Sequence, residues 1–98
     1  MEIRENRNGS ELTVALAGRL DTLSSPELEE KIEDMLEGVE KLVFDFEELR
    51  YISSAGLRVM LTAMQIMEDQ GEMTVKNVCQ DVMDVFEVTG FVDDLNIE

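Results

Sequence analysis

Residues Leu42-Val43-Phe44-Asp45-Phe46 form a short apolar run rich in β-branched and aromatic side chains. Its length and composition, within Lys41 to Phe46, predict a strand buried on both faces. The run lies between two segments whose apolar residues recur at helical spacing. Upstream, Leu28, Ile32, Met35, Leu36 and Val39 make one stripe, with Glu29, Glu30, Glu33 and Glu37 largely outside it. Downstream, Leu57, Met60, Leu61 and Met64 mark a helix from about Ser54 to Gln70, with Gly71 suited to its C-terminal turn. A strand set between two helices belongs to a crossover, and crossovers joining parallel strands are right-handed. The chain is therefore expected to be an α/β protein with a parallel section of sheet.

The rest of the chain extends this pattern. Residues 2–7 read as a short, polar edge strand, and Asn8-Gly9-Ser10 as a turn. Glu11 to Ala17 alternates, with Leu12, Val14 and Leu16 on one face and the small Thr13 and Ala15 on the other. The two strands predict an antiparallel hairpin. Gly18 to Leu23 is expected to be a connecting loop. Ser24-Ser25-Pro26-Glu27 is a helix-start signal: a serine cap, an early proline and a first-turn acid. Gly38 suits the end of that helix. Met73 to Val78 is a strand candidate. Val82, Val85 and Phe86 define a third short helix ending near Thr89-Gly90, and Phe91 to Leu95 adds a further turn. The expected fold is a single domain over residues 1–98, a small mixed sheet of about four strands flanked by helices. In such sheets ligands and reactive groups gather beyond the carboxyl ends of the strands. Ser53 and Ser54 follow the central strand there, and Asp21 follows the second.

Charge and composition remove several classes of function. With 23 acidic and 8 basic residues the net charge is −15, which repels nucleic acid and anionic membrane surfaces. The chain has no histidine and a single cysteine, Cys79, so no intramolecular disulfide forms and no ordinary zinc site is expected. No apolar run approaches the roughly 18 residues of a membrane helix, and Met1-Glu2-Ile3-Arg4-Glu5 lacks a signal-peptide core. These features favour a cytoplasmic protein. No bound cofactor is expected, and monomer is the default oligomeric state.

Candidate chemistry concentrates in Tyr51-Ile52-Ser53-Ser54-Ala55-Gly56-Leu57, where the strand gives way to the helix. A hydroxyl there meets the free N–H groups and the positive dipole end of the helix. It can hold a phosphate or act as an ordinary cap. Ser54 has no histidine to activate it, and neither a Ser-x-x-Lys nor a Gly-x-Ser-x-Gly arrangement surrounds it. Nucleotide-binding glycine motifs are absent. Asp93-Asp94 and Glu47-Glu48 read as solvated surface charge. Asp45 invites comparison with a phosphoacceptor aspartate, but the early strands supply no acidic pair to accompany it. Arg50 and Arg58 could touch an acidic partner or a phosphate, with surface solvation the simpler reading. Two readings of Ser54 stay open on local chemistry: a helix cap, and a phosphoacceptor whose modification adds roughly −1.5 to −2 charge units.

The same residues resemble a known family. Tyr51 to Leu57 is similar to the phosphorylation loop of STAS domains, especially bacterial anti-sigma factor antagonists. Gly18-Arg19-Leu20-Asp21 resembles the family's Gly-x-Leu/Ile-Asp loop. Leu42 to Leu49 resembles the strand leading to the site, and Val85-Phe86-Glu87-Val88-Thr89-Gly90-Phe91 the late helix and Thr-Gly turn. The resemblance implies a partner-switching regulator and not an enzyme. Unphosphorylated, such a domain binds an anti-sigma factor that is also a serine kinase, releasing the sigma factor. Phosphorylation ends binding and a serine phosphatase restores it. By position, Ser54 matches the phosphoserine, with Ser53 as an alternative acceptor. Asp21, Thr22, Ser53, Ser54, Ala55, Gly56 and Leu57 match the partner-binding surface. Ser53 stands where many phosphorylatable members have aspartate. The family also contains constitutive subunits of lipid-transport, transporter-linked and sensory assemblies, which makes an unphosphorylated scaffold the alternative.

Overall fold

The computed structural model describes residues 1–98. Five strands form one sheet in sequence order: β1 (Glu2–Asn8), β2 (Glu11–Leu20), β3 (Lys41–Ile52), β4 (Glu72–Lys76) and β5 (Asn96–Ile97). β1 and β2 are antiparallel, and every later pairing is parallel. The helices are α1 (Ser25–Met35), α2 (Ser54–Gln70), α3 (Gln80–Thr89) and α4 (Phe91–Asp94). This is the mixed α/β sheet flanked by helices that the residue pattern predicts. No helix is long and apolar enough to cross a membrane.

The pleat decides where the core lies. Leu12 pairs with Leu42 and Val14 with Phe44, and Phe44 with Val75, so these side chains share one face. The buried residues of α1, α2 and α3 join them in a single hydrophobic cluster, from Leu28 and Ile32 through Met60 and Ala63 to Val82 and Phe86. Phe44, Phe46 and Phe86 form a tilted aromatic row, with centroids 6.0 and 6.4 Å apart. Val43 is buried but points the other way and stands outside the cluster. Around it Thr13, Ala15, Asp45 and Lys76 are half-exposed. The buried residues of the helices gather on one face of the central strand; the other face, which the apolar run predicts to be buried too, is buried at Val43 and its partner Thr74 but half-exposed at Asp45.

Several boundaries differ from those expected, each for a local reason. β2 continues through Gly18 to Leu20, where a loop is expected. Its pairing with β3 shifts register between Ala15 and Ala17 and again between Gly18 and Arg19. Gly18 absorbs the irregularity at φ 102°, a conformation that favours glycine. β3 correspondingly runs on to Ile52. There Asp45 Oδ1 accepts the Glu47 N–H at 3.1 Å and the Asn77 side-chain N–H at 3.0 Å, pinning the irregular stretch. β4 ends at Lys76, and Asn77 takes a φ of 60°. β5 is a strand beyond the expected four, fastened by Asn96 Nδ2 to Thr74 Oγ1 at 3.2 Å. At the far end of α2, Gln70 Nε2 donates to the carbonyls of Leu36 and Val39, both at 2.8 Å, tying that helix to the chain leaving α1.

Ser25 is an exception in this well-satisfied interior. It is 2% exposed and its hydroxyl has no hydrogen-bond partner. A buried unpartnered hydroxyl destabilises, so Ser25→Ala is expected to raise stability by about 1 kcal/mol. A thermal melt checks this: an unchanged or lower midpoint contradicts it.

Candidate functional site

Because β2 and β3 run parallel, their carboxyl ends leave the sheet at the same edge. Leu20 pairs with Ile52, and the next backbone group, Ser53 N–H, donates to the Leu20 carbonyl at 2.9 Å. The residues that follow, Asp21 on one chain segment and Ser54 on the other, are thereby held at one rim.

Ser53 has an extended backbone, φ −101° and ψ 178°, and is the N-cap of α2. Its Oγ accepts the Gly56 N–H at 3.4 Å, and its carbonyl accepts the Leu57 N–H at 2.9 Å. The capping function therefore belongs to Ser53 and leaves Ser54 free of it. Ser54 is the first residue of α2; it is exposed, and its hydroxyl makes no hydrogen bond within the chain. Ala55 is half-buried, whereas Gly56 and Leu57 are buried. Gly56 and Leu57 lie too deep to form the outer surface, and they act as its support.

Gly56 is required by close approach. A Cβ at this position would stand 2.7 Å from the Leu20 carbonyl oxygen and 2.8 Å from Ile52 Cγ1. The glycine lets the first turn of α2 settle against the ends of β2 and β3, which sets how far Ser54 projects.

The Asp21 segment is a closed turn. Asp21 Oδ1 accepts the N–H groups of Leu23 and Ser24, both at 3.0 Å. In return the Asp21 N–H donates to Ser24 Oγ at 2.9 Å, and Ser24 Oγ donates to the Arg19 carbonyl at 2.6 Å. The Ser24 hydroxyl thus bonds back along the chain and does not cap α1, contrary to the expected serine cap. No side chain caps α1; the Asp21 carboxylate closes the turn before it, and the Asp21 backbone carbonyl accepts the Ser25 N–H at 2.8 Å. Asp21 Oδ2 lies 3.5 Å from Arg19 Nε, and the Arg19 guanidinium sits 4.2 Å over the Tyr51 ring.

These contacts hold the Asp21 carboxyl below the ordinary carboxylate range, chiefly through the Ser24 N–H, with the Leu23 N–H and Arg19 adding to it. A depressed folded-state value means that the carboxylate's contribution is complete above the unfolded value, about pH 4, and is lost as pH falls through the lower folded value. An NMR titration of the side-chain carboxyl is expected to show Asp21 titrating below exposed aspartates. A midpoint at or above theirs would contradict the closed turn.

Thr22 and Leu23 cap this turn outward. Thr22 is exposed, and Leu23 is 91% exposed, an apolar side chain held in solvent by a rigid backbone. Leu23 escaped the sequence reading, although an apolar residue between Thr22 and Ser24, outside any periodicity, was a usable signal. The stack of Arg19 on Tyr51 had no such signal, since it depends on a shifted cross-strand register. A shallow depression beside the turn is lined by Gly18, Arg19, Asp21, Leu23, Ser24 and Glu27. The rim brings together a free hydroxyl, a buffered carboxylate and an exposed leucine. No side chain hydrogen-bonds the Ser54 hydroxyl, and no cluster of His, Cys, Asp or Glu is arranged to hold a metal ion.

Known proteins share the sequence and the fold. A family model described as "Mlab, STAS domain" matches residues 3–96. The chain is 33% identical over 94 residues to "Putative anti-sigma factor antagonist BtrV" of Bordetella bronchiseptica, covering 94% of this chain and 81% of that protein. It is 26% identical over 98 residues to the anti-sigma-B factor antagonist of Bacillus subtilis, covering 99% and 88%. Among solved structures, the Bacillus cell fate determinant SpoIIAA in its phosphorylated form superposes with a TM-score of 0.76 at 20% identity, covering 99% of this chain and 91% of that one. The last likeness is one of fold. With the family model spanning nearly every residue of sheet and helices, the chain belongs to the STAS domain family.

Proposed function

We propose that this chain is an anti-sigma factor antagonist that works in the cytoplasm by partner switching. Its rim, formed by Asp21, Thr22, Ser53, Ser54 and Ala55 over the support of Gly56 and Leu57, docks an anti-sigma factor that is also a serine kinase. Docking releases the sigma factor. The kinase then transfers the γ-phosphoryl group of ATP to Ser54 Oγ, which gives up its proton as ADP leaves. The added dianion ends the association, and a serine phosphatase restores the hydroxyl by hydrolysis. The protein is the object of this chemistry and not its catalyst.

The observation that carries the reading is the division of labour between the two serines. Ser53 does the capping, so Ser54 is exposed and unengaged at the first position of α2. Phosphate at that position meets the positive end of the helix, so modification changes recognition without unfolding the domain. The names of the relatives support the same role.

The test is phosphorylation by the anti-sigma kinase with ATP, mapped by mass spectrometry. Phosphate on Ser54 is expected. Phosphate on Ser53 moves the acceptor by one residue, and phosphate elsewhere removes the site assignment. A stable complex indifferent to kinase and phosphatase would favour the constitutive scaffold, the reading that serine in place of aspartate at position 53 suggests.

A further inference from the structure

Charge is distributed unevenly over this surface. The chain carries 23 acidic residues among 98, yet from Tyr51 to Met67 there is no acid at all, and Arg58 is the one charged side chain. Along α2 as far as Met67 the exposed positions are Ser54, Arg58, Leu61 and Gln65, a stripe with one cation and no acid before Glu68 and Asp69 at the far end. Arg58 makes no ion pair there; only its backbone carbonyl is engaged, accepting from Thr62 Oγ1 at 3.1 Å. The residues three and four positions away, Ser54, Ala55, Leu61 and Thr62, are all uncharged.

The other charged groups near that end of the fold are occupied. Arg19 pairs with Asp21 at 3.5 Å and covers the Tyr51 ring. On α1, which packs against α2, Lys31 faces Glu27 at 3.9 Å. On β3, Arg50 donates to the Glu47 carbonyl at 3.0 Å. Arg58, like Lys76 at the end of β4, has no ion pair and no side-chain hydrogen bond, and it lies one helical turn beyond Ser54.

We propose that Arg58 is the internal receptor for the phosphate on Ser54. Positions i and i+4 of a helix are neighbours on its surface, with about 5–6 Å between their Cβ atoms. The order matters: the anion lies N-terminal to the cation, which is the favourable sense for such a pair. A guanidinium offers two parallel N–H donors to phosphate oxygens. This inference rests on Ser54 being the modified residue. It adds that modification has two consequences for the docking surface. It introduces a dianion, and it folds the stripe's only cation onto that dianion, so neither remains available to a partner in its former state.

The experiment installs phosphoserine at position 54 during translation, which needs no kinase. The second ionisation of the phosphate is then followed by 31P NMR in the otherwise native chain and in R58Q and R58K. In the native chain its midpoint is expected about 0.3 of a pH unit below that in R58Q, the size of an exposed i,i+4 pair. R58K should recover part of the difference, and 1 M salt should erase most of it by screening. Equal midpoints in the native and R58Q proteins overturn the proposal. So does a difference that salt leaves intact, since a structural change and not an ion pair would then be its source. Circular dichroism of each variant confirms the fold. If the kinase leaves Ser54 unmodified, the functional reading fails, while the installed phosphoserine still decides the role of Arg58.

Discussion

Ser54→Asp is expected to weaken the complex with the anti-sigma partner at least about tenfold, which is about 1.4 kcal/mol, while Ser54→Ala binds as the native protein does and can no longer be switched off. The reasoning is local. The Ser54 hydroxyl supports nothing inside the fold, so removing it leaves the rim intact. A carboxylate at the same place introduces charge into a surface that desolvates on docking, and unpaired charge there is costly. Ser53→Ala is the contrasting control. It deletes the α2 cap and should cost about 1 kcal/mol of stability, visible in a thermal melt, with a smaller effect on binding. Titration calorimetry of the three variants separates the roles. Equal affinity for the aspartate and native proteins would dismiss charge at position 54 as the switch.

The largest effect on the fold is expected at two glycines. A Cβ on Gly71 would lie 1.8 Å from the Glu40 carbonyl oxygen, which also accepts the Glu72 N–H at 3.0 Å. Neither backbone segment can yield without breaking the start of β4 away from β3. Gly71→Ala should therefore cost about 3 kcal/mol or more, with a drop in melting temperature on the order of 10 °C. Gly56→Ala meets the Leu20 carbonyl, itself held by the Ser53 N–H. Its expected cost is about 2 kcal/mol. The two substitutions should differ in binding. Gly71 lies at the opposite end of α2 from the rim, so the folded fraction of Gly71→Ala should dock normally. Gly56→Ala lifts the first turn of α2 and should lose affinity even when fully folded. Binding measured at a temperature where both variants are folded provides the comparison, and equal affinities would refute the role given to Gly56.

The legible parts of the fold were those with strong punctuation. The bounds of α2 follow from a serine at one end, a glycine at the other and an apolar stripe between them. The extension of β3 did not show, because beyond Phe46 its buried residues are Leu49 and Ile52, a spacing of three that no strand template recognises. The shifts in register cause that spacing, and they exist only in the pairing with β2. β5, Asn96–Ile97, is too short for any periodicity. Helices on one face of the sheet were likewise hidden, since Val43 reads as core whether a helix or neighbouring strand side chains shield it. At the site, parallel topology allows the Asp21 and Ser54 loops to share one rim, and the pairing of Leu20 with Ile52 is what places them there. The assignment of the cap to Ser53 depends on a backbone angle, and either serine satisfied the composition rule. The same holds for Ser24, whose hydroxyl is engaged by the Arg19 carbonyl and the Asp21 turn and makes no cap bond to α1.

The bond from Ser53 to the Leu20 carbonyl is made only when β2 and β3 pair across the α1 crossover. Until then the hydroxyl at 54 and the turn at 21 belong to separate parts of a wandering chain. On the proposed partner-switching reading, a half-folded or nicked copy would present neither half of the epitope in register, and so would not draw an anti-sigma factor away from its target. Recognition on that reading doubles as an inspection: copies that have not completed their long-range strand pairing would be silent.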